Sequence, residues 1–229
     1  MGVFRPVVER FQGNGRKSTV EPSDRIITPA TIMSASRPEL ARRARNRLIN
    51  GQKGAAYITA ACFATDMEGS VARLIDKLFP GKGWGVSKFG IPADTIADSA
   101  ALMIIGEGII KGPKVHPLGK LATGMVLGQE SFKAGWAGLR TVQFKAATGQ
   151  RLEIPVQIEG KEAMVEKMFG IELAVITNEL DSPAARLAIG SAALTVATAG
   201  SVRGEAIRRA YDRAYPIMLE EGILDAKAA

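Results

Sequence analysis

The sequence predicts an all-α fold in which six helices pack as a bundle. Aromatic residues make up only 6% of the 229 residues, whereas alanine and glycine are abundant, and small residues let helix backbones approach one another closely. Segments rich in glycine and proline, FPGKGWG (79–85) and GPKVHP (112–117), interrupt long helix-like stretches and are typical of loops. The mean hydropathy of +0.06 is high for a soluble chain and low for a protein with many membrane spans.

The first helix is predicted from the pattern SRPE (36–39). Ser36 suits an N-cap, Pro38 suits the first turn, and Glu39 completes a capping box. Gly51 is a natural C-terminal stop. The arginines between these positions are too numerous for a membrane span, so this segment is expected to be an amphipathic helix that is solvated or lies on anionic headgroups.

The later helices are predicted between the loop segments, with one exception. Residues 140–160 have alternating β-branched residues around Thr-Gly-Gln, which favours a hairpin or an irregular insert. The longest uncharged run, 187–202, has 16 residues, whereas a membrane span takes about 20. The predicted helices cover approximately residues 55–78, 92–110, 119–136, 161–180 and 183–202, followed by a polar tail helix over 203–222.

The net charge of the chain is concentrated near its N-terminus. Residues 1–53 hold 11 Lys and Arg against 4 Asp and Glu, a balance of +7, and the whole chain, with 30 against 23, has the same balance. Such a basic arm can face nucleic acid or an anionic membrane, or fix a cytoplasmic orientation. We therefore expect a basic arm with an amphipathic helix (1–53), a helical bundle (54–203) and a polar C-terminal helix (204–229).

Carboxylates are the remaining candidates for metal binding or acid–base chemistry in this sequence. The single Cys62 and the single His116 lie far apart in the sequence, which disfavours a zinc site or a Cys–His nucleophile. Cys62 lies in the apolar run AAYITAACFAT and is expected to be a small buried residue.

Two acidic segments, TDMEGSVAR (65–73) and GIPADTIAD (90–98), lie on consecutive predicted helices. Positions four apart share a helix face, so Asp94 and Asp98 lie one turn apart. The loop between the helices predicts antiparallel neighbours, and converging carboxylates repel one another unless protons or cations bridge them. Oxygen ligands of this kind suit Mg²⁺, Mn²⁺ or Ca²⁺. Two ordinary solvent-facing helix surfaces are the alternative.

Together the segments resemble the signature of the CDP-alcohol phosphatidyltransferases, D-x-x-D-G-x-x-A-R followed by G-x-x-x-D-x-x-x-D. The second segment matches at every fixed position, and GSVAR (69–73) matches G-x-x-A-R. Glu68 replaces the second aspartate of the pattern. Thr65 replaces the first, and Asp66 is adjacent to it.

Flanking segments extend the resemblance over residues 28–129. TPATIMSASR (28–37) is similar to the family's N-terminal P-x-x-x-T-x-x-R segment, with Ser34 for Thr and one extra residue. GKLATGMVLGQ (119–129) is similar to a G-K-x-K-T segment, with Ala122 where the second lysine stands.

The resemblance implies an enzyme of phospholipid biosynthesis that transfers a substituted phosphate group from a CDP-linked lipid to an alcohol and releases CMP. Family members are integral membrane proteins with six transmembrane helices and are often homodimers. It therefore implies a six-helix transmembrane bundle in the cytoplasmic membrane, with the active site facing the cytosol. The implied partners are CDP-diacylglycerol or a similar lipid, an alcohol acceptor and membrane lipids, but not nucleic acid.

The resemblance also implies the chemistry of the site. Two divalent cations, Mg²⁺ or Mn²⁺, are expected to clamp the pyrophosphate, and Asp98 is expected to act as general base on the acceptor alcohol. The expected metal ligands are Asp66, Glu68, Asp94 and Asp98. The expected nucleotide-binding residues are Gly69, Ala72, Arg73 and Gly90.

Two alternatives stay open on the sequence alone. A noncatalytic relative keeps the fold, and Thr65 in place of the first aspartate is its main support. A soluble helical protein with a basic nucleic-acid-binding arm accounts for the low hydropathy, although no recognised nucleic-acid motif supports it.

Overall fold

The computed structural model describes residues 28–65, 74, 77–79, 90–150, 152 and 158–228. Within these residues the fold is all-helical, as predicted, and contains no β-strand. Its helices are α1 (Pro29–Ile49), α2 (Ala55–Ala64), α3 (Gly90–Lys111), α4 (Pro117–Thr148), α5 (Ile158–Glu179) and α6 (Pro183–Ala228). The predicted helices at 92–110 and 161–180 are confirmed as α3 and α5.

The N-cap of the first helix, Thr28, lies eight residues before the predicted N-cap. The Thr28 hydroxyl accepts a hydrogen bond from the backbone N–H of Thr31 at 3.2 Å, and the Thr31 hydroxyl accepts one from the backbone N–H of Thr28 at 2.7 Å. This reciprocal pair is a capping box. The prediction of Ser36 as N-cap was wrong because the helix already has this cap, and the Ser36 hydroxyl donates to the Met33 carbonyl oxygen instead. Pro38 lies inside the helix.

The last part of α4 corrects the hairpin prediction. Residues 140–148 are helical, and α4 ends only at Gly149, which has a left-handed φ of 73°. The β-branched residues are accommodated because a threonine hydroxyl can bond back into its own helix, as Thr148 does to the carbonyl oxygen of Phe144 at 2.8 Å. Phe144 is itself buried against α6 in a small second core.

The sixth predicted helix and the predicted tail helix form one continuous helix, α6. It has 46 residues and contains Pro216 in its interior. The Gly200 and Gly204 positions near its middle face α5, where a Cβ on Gly200 would lie 2.9 Å from the Ala163 carbonyl oxygen. Absence of a side chain there permits the close approach of α5 and α6 that the composition predicts.

The helices alternate in direction through the bundle. Helices α1 and α3 are parallel, because Arg37 contacts Asp98 and, further along both helices, Arg45 contacts Glu107. Short turns at residues 112–116 and 180–182 join α3 to α4 and α5 to α6, as is typical of antiparallel neighbours. Helix α5 runs antiparallel to α4, because Gly119 lies beside Ala174 and, further along α4, Glu130 pairs with Lys167.

At one end of the bundle, called the loop end, the loop between α1 and α2 contacts the end of α5 and the turn that follows it. The Asn178 amide donates to the Gln52 carbonyl oxygen at 2.8 Å, and the Glu179 carboxylate accepts from the backbone N–H of Gly54 at 2.6 Å. Lys53 pairs with Asp181 at 2.7 Å. The opposite end, called the site end below, holds the start of α1, the end of α2 and the start of α3.

Among the described residues, one helix is long and apolar enough to cross a membrane. It is the Pro183–Glu221 part of α6, and only 28% of its most apolar stretch is buried inside the structure. A core helix of a soluble protein would be mostly buried, so this helix has an outward apolar surface that the rest of the described bundle does not cover. The all-α fold and one such helix are confirmed, and the six-span bundle stays a prediction.

Candidate functional site

Arg37 is the centre of a polar cluster at the site end. Its Nε donates to the Thr65 hydroxyl at 2.9 Å, one terminal nitrogen donates to the Thr65 carbonyl oxygen at 2.7 Å, and the other contacts the Asp98 carboxylate. The Arg37 side chain is only 2% exposed. A single guanidinium, which stays protonated in proteins, therefore joins α1, the end of α2 and α3.

The periodicity of α1 explains why Arg37 is buried. Its buried residues recur three and four positions apart, which places them on one face of the helix. They are Ser34, Arg37, Ala41, Ala44 and Leu48. Arg37 is the one charged residue among these five, whereas Glu39 and Arg42 of the same helix are exposed and pair with each other. Arg37 ends the N-terminal segment that resembles the family, and the resemblance predicts no role for it, although this spacing of small and apolar residues is a signal that it faces the core.

Thr65 is held from two sides at the end of α2. Its hydroxyl accepts from Arg37 and donates to the Cys62 carbonyl oxygen at 2.6 Å. The buried Cys62 thiol lies 3.6 Å from the Arg37 carbonyl oxygen, so the expectation of a buried cysteine is confirmed. The threonine thus serves as a neutral acceptor for the arginine at the position where the family pattern has its first aspartate.

Asp98 lies on α3 at the border between core and surface. Its side chain is 22% exposed, although its Oδ1 contacts the almost fully buried guanidinium of Arg37. The neighbouring Ala97, Ala101 and Leu102 are buried. This carboxylate therefore combines a fixed position with access from outside, two properties that a catalytic group requires.

The other predicted site residues are described only in part. Gly90 is the first residue of α3, and Asp94 belongs to the same helix, four residues before Asp98. The Asp94 side chain lies outside the described part of the structure. The remaining predicted residues lie outside the described ranges altogether, so their roles stay predictions; they are Asp66, Glu68, Gly69, Ala72 and Arg73.

The described residues do not form a divalent-cation site around Asp98. In the part of the chain that the structure describes, no three His, Cys, Asp or Glu side chains lie together where they could hold a metal ion. The cation at Asp98 is the Arg37 guanidinium, and Thr65 offers a hydroxyl that is already bonded. Because Mg²⁺ and Mn²⁺ require several oxygen ligands, Asp98 and Thr65 alone do not fit such an ion.

A second buried ion pair, which the sequence analysis does not identify, lies between α4 and α5. Lys167, 1% exposed, pairs with Glu130 at 2.5 Å. The Gln129 amide beside it donates to the Ser201 carbonyl oxygen, while Gln129 Oε1 and Ser201 Oγ are buried and have no hydrogen-bond partner among the described residues. Because Lys167 is almost fully buried, its charge relies on Glu130 for compensation.

Comparison of the chain with protein-family models, curated proteins and solved structures gives no match. The indications of function are therefore the residues of the cluster and the motif resemblance.

Proposed function

We propose that the chain is a CDP-alcohol phosphatidyltransferase, an enzyme that transfers a substituted phosphate group from a CDP-linked lipid to an alcohol in phospholipid biosynthesis. One observation carries the proposal. Arg37, Thr65 and Asp98 come from the three separate segments that resemble the family, and they meet at one guanidinium. Resemblances that arise by chance along a sequence have no reason to converge in space.

The proposed role of Asp98 is that of general base. Its partly exposed carboxylate accepts the proton of the acceptor hydroxyl, and the oxygen attacks the phosphorus that carries the lipid. The bond from this phosphorus to the bridging oxygen of CMP breaks, and CMP leaves. Arg37 and Thr65 are the proposed positioning residues, because they fix the carboxylate from the buried side.

The other predicted site residues keep their proposed roles. Asp66, Glu68, Asp94 and Asp98 are the proposed ligands of two divalent cations, Mg²⁺ or Mn²⁺, which would counter the charge of the pyrophosphate. Gly69, Ala72, Arg73 and Gly90 are the proposed nucleotide-binding residues.

The proposed location is the cytoplasmic membrane, as a six-span homodimer with the site open to the cytosol. Helix α6 supports a membrane location, because its apolar stretch is largely uncovered. The site end supports the orientation. Gly204 of α6 lies beside Lys167 of α5, and the basic residues Arg203, Arg208 and Arg209 come directly after the uncharged stretch 187–202 of α6. Basic residues beside a span favour the cytoplasmic side.

A direct test uses the full chain purified in detergent with Mg²⁺ or Mn²⁺ and CDP-diacylglycerol. CMP release is measured with a panel of acceptors: glycerol phosphate, inositol phosphate, inositol and serine. We expect release with at least one acceptor, and we expect Asp98→Asn to lower the rate by at least about 100-fold. Glu107→Gln is the matched control, because Glu107 also lies on α3 and also pairs with an arginine of α1. This control is expected to stay close to the wild-type rate.

A noncatalytic relative of the same fold is the second candidate. The specific observation in its favour is that Arg37 already engages both Thr65 and Asp98. Binding of the CDP-lipid without CMP release from any acceptor would support this candidate. Absence of both binding and release, or recovery of the chain in the aqueous phase after lysis without detergent, would contradict the transferase proposal and favour the soluble protein with a basic arm.

A further inference from the structure

We propose that two copies of this chain pair through the outward side of α4, so that α4 of one copy packs against α4 of the other. The proposal rests on the proposed function only in taking the assembly to be a homodimer, and it names the surface that joins the copies. This surface, called the outer face of α4 below, consists of five large apolar residues and five small residues.

The five large apolar side chains of the outer face are exposed on one side of the helix. Their exposed fractions range from 37% to 67%, and they recur three, four or seven residues apart, which places them on one face. They are Leu121, Met125, Phe132, Leu139 and Val142. Apolar residues that are scattered singly on a surface need no explanation, whereas a contiguous apolar face marks contact with another molecule or with lipid.

The charged residues of the same segment point toward the other helices. Glu130, Lys133 and Arg140 are the only charged residues between positions 121 and 142, and their side chains are between 25% and 35% exposed. Glu130 pairs with Lys167 of α5, and Arg140 pairs with Asp212 of α6 at 2.9 Å. The usual arrangement of a surface helix, with polar residues outward and apolar residues inward, is therefore reversed.

Small residues on the same side indicate that a helix, rather than lipid alone, covers this face. Gly124, Gly128, Ser131, Gly135 and Gly138 recur at alternating spacings of four and three, the period at which two helices pack side by side. Among the described atoms, none lies within 4 Å of a Cβ built on any of the four glycines. Glycine inside a helix is destabilising relative to alanine. Contact with lipid requires no glycine, whereas a second helix can then approach the backbone closely.

The other helix glycines of this bundle show what such positions do. At each of seven further glycines in the described parts of α3 to α6, a Cβ would lie between 2.6 and 3.1 Å from an atom outside the glycine's own helix. Gly119 faces Ala174 of α5, and Gly170 faces Ala197 of α6. Glycine in this fold thus coincides with close contacts, and the four glycines of the outer face have no such contact within the described residues.

The charge and the size of the outer face favour a second copy as its occupant. A twofold pair brings the same face of both copies together, and because the face carries no charge, pairing brings no like charges together. Between Leu121 and Val142 the face is about 32 Å long, and an arc of about 140° at an outer radius of about 6 Å gives about 470 Å² per copy. With the exposed Met103 and Ile110 of α3, which flank the contact of Gly106 with α4, two copies reach the roughly 1,000 Å² that a specific dimer needs.

The first test is disulfide cross-linking of Ser131→Cys. Ser131 lies at the centre of the four glycines, so it meets its counterpart whether the two α4 helices run parallel or antiparallel. The full chain is co-expressed with two different epitope tags and oxidised with copper phenanthroline in a lysate prepared without detergent. We expect a disulfide-linked species that carries both tags, which requires the two Cα atoms to come within about 7 Å.

Two controls accompany this measurement. The wild type has only Cys62, which is 1% exposed, and is expected to form no linked species. Ala134→Cys places a thiol at an exposed position of α4 that lies one residue, or about 100° around the helix, from Gly135. It is expected to form no linked homodimer.

The second test measures the dimer dissociation constant of the purified chain in detergent by light scattering over a range of protein concentrations. Gly128→Leu adds bulk where the two copies approach most closely, and we expect the dissociation constant to rise at least about tenfold. Because no described atom lies within 4 Å of the Gly128 Cβ position, the variant is expected to fold with the helix content of the wild type by circular dichroism. Ala134→Leu adds the same side chain away from the outer face and is expected to change the constant by less than about twofold.

Four outcomes would overturn the proposal. Three concern pairing: Ser131→Cys forms no linked homodimer, it links to a different protein instead, or Gly128→Leu dimerises as tightly as the wild type. The fourth is a Gly128→Leu chain that does not fold, which would show that the outer face is covered within the chain. Failure of the proposed function is a separate result, because a chain that releases no CMP but links through Ser131→Cys retains the α4 pairing and loses only the enzyme assignment.

Discussion

Two arginine–carboxylate pairs join α1 to α3, and they differ in geometry and in burial. Arg45 and Glu107 form two bonds, at 2.6 and 3.0 Å, with side chains that are 29% and 38% exposed. A terminal nitrogen of Arg37 contacts Asp98 Oδ1, with side chains that are 2% and 22% exposed. The Arg37–Asp98 pair is thus the more buried of the two.

Burial therefore distinguishes the Arg37–Asp98 pair, which belongs to the candidate site, from the Arg45–Glu107 pair, which only joins two helices. An exposed pair exchanges water contacts for protein contacts and gains little. A buried arginine has lost its water and depends on every partner it retains. Arg37 depends on Asp98 and Thr65 together, and both belong to the motif segments.

The largest expected effect comes from removing the buried arginine. Arg37→Met removes the guanidinium from the Asp98 carboxylate and the Thr65 carbonyl oxygen, and loss of one member of a buried pair costs about 3–5 kcal/mol. We expect the lower end of that range, about 3 kcal/mol, because Asp98 retains some contact with solvent. Denaturant unfolding of the detergent-solubilised chain in EDTA measures this change. An unfolding free energy equal to that of the wild type would show that the cluster is not a stabilising element.

A smaller effect is expected when both partners of the buried pair are replaced. In Arg37→Met/Asp98→Asn the charge left behind by the single variant is absent, and replacing both members of a buried pair is often close to neutral. We expect the double variant to recover at least about 1 kcal/mol relative to Arg37→Met, which is a coupling typical of residues in contact. Unfolding of the four proteins of this cycle measures the coupling. Strict additivity would mean that Arg37 acts through Thr65 or through packing, and not through Asp98.

The sequence predicts the helices well where periodicity and loop residues agree. α3 and α5 are found where glycine and proline segments bound an uninterrupted stretch. The predicted start of α1 was wrong because SRPE (36–39) looks like a cap, while the Thr28 and Thr31 pair that forms the real cap has no such acidic signal. The predicted hairpin at 140–160 was wrong over 140–148, because packing of Phe144 against α6 overrides a local β-like pattern.

The sequence predicts which residues of the candidate site match the motif, but not how those residues contact one another. Asp98 is identified by its spacing from Gly90 and Asp94. Arg37 stands at the arginine of the N-terminal segment that resembles the family, but its role is not predicted, because that role depends on burial beside residues 28 and 61 positions further along the chain. Such a contact is a property of how α1 packs, and a motif that records residue types in order does not contain it.

The smallest expected effect comes from the exposed pair, and it is the sharpest check on the comparison. Arg45→Met leaves Glu107 in contact with Lys111 at 2.6 Å and with solvent, so the carboxylate is not stranded. We therefore expect the melting temperature to change by no more than about 2 °C, and the change to shrink further at high salt because exposed charges are screened. Thermal unfolding at low and high ionic strength, alongside Arg37→Met, measures both quantities. If Arg45→Met lowered the melting temperature as much as Arg37→Met, both α1–α3 ion pairs would contribute equally to stability. Burial would then no longer single out Arg37 and Asp98 as the functional pair.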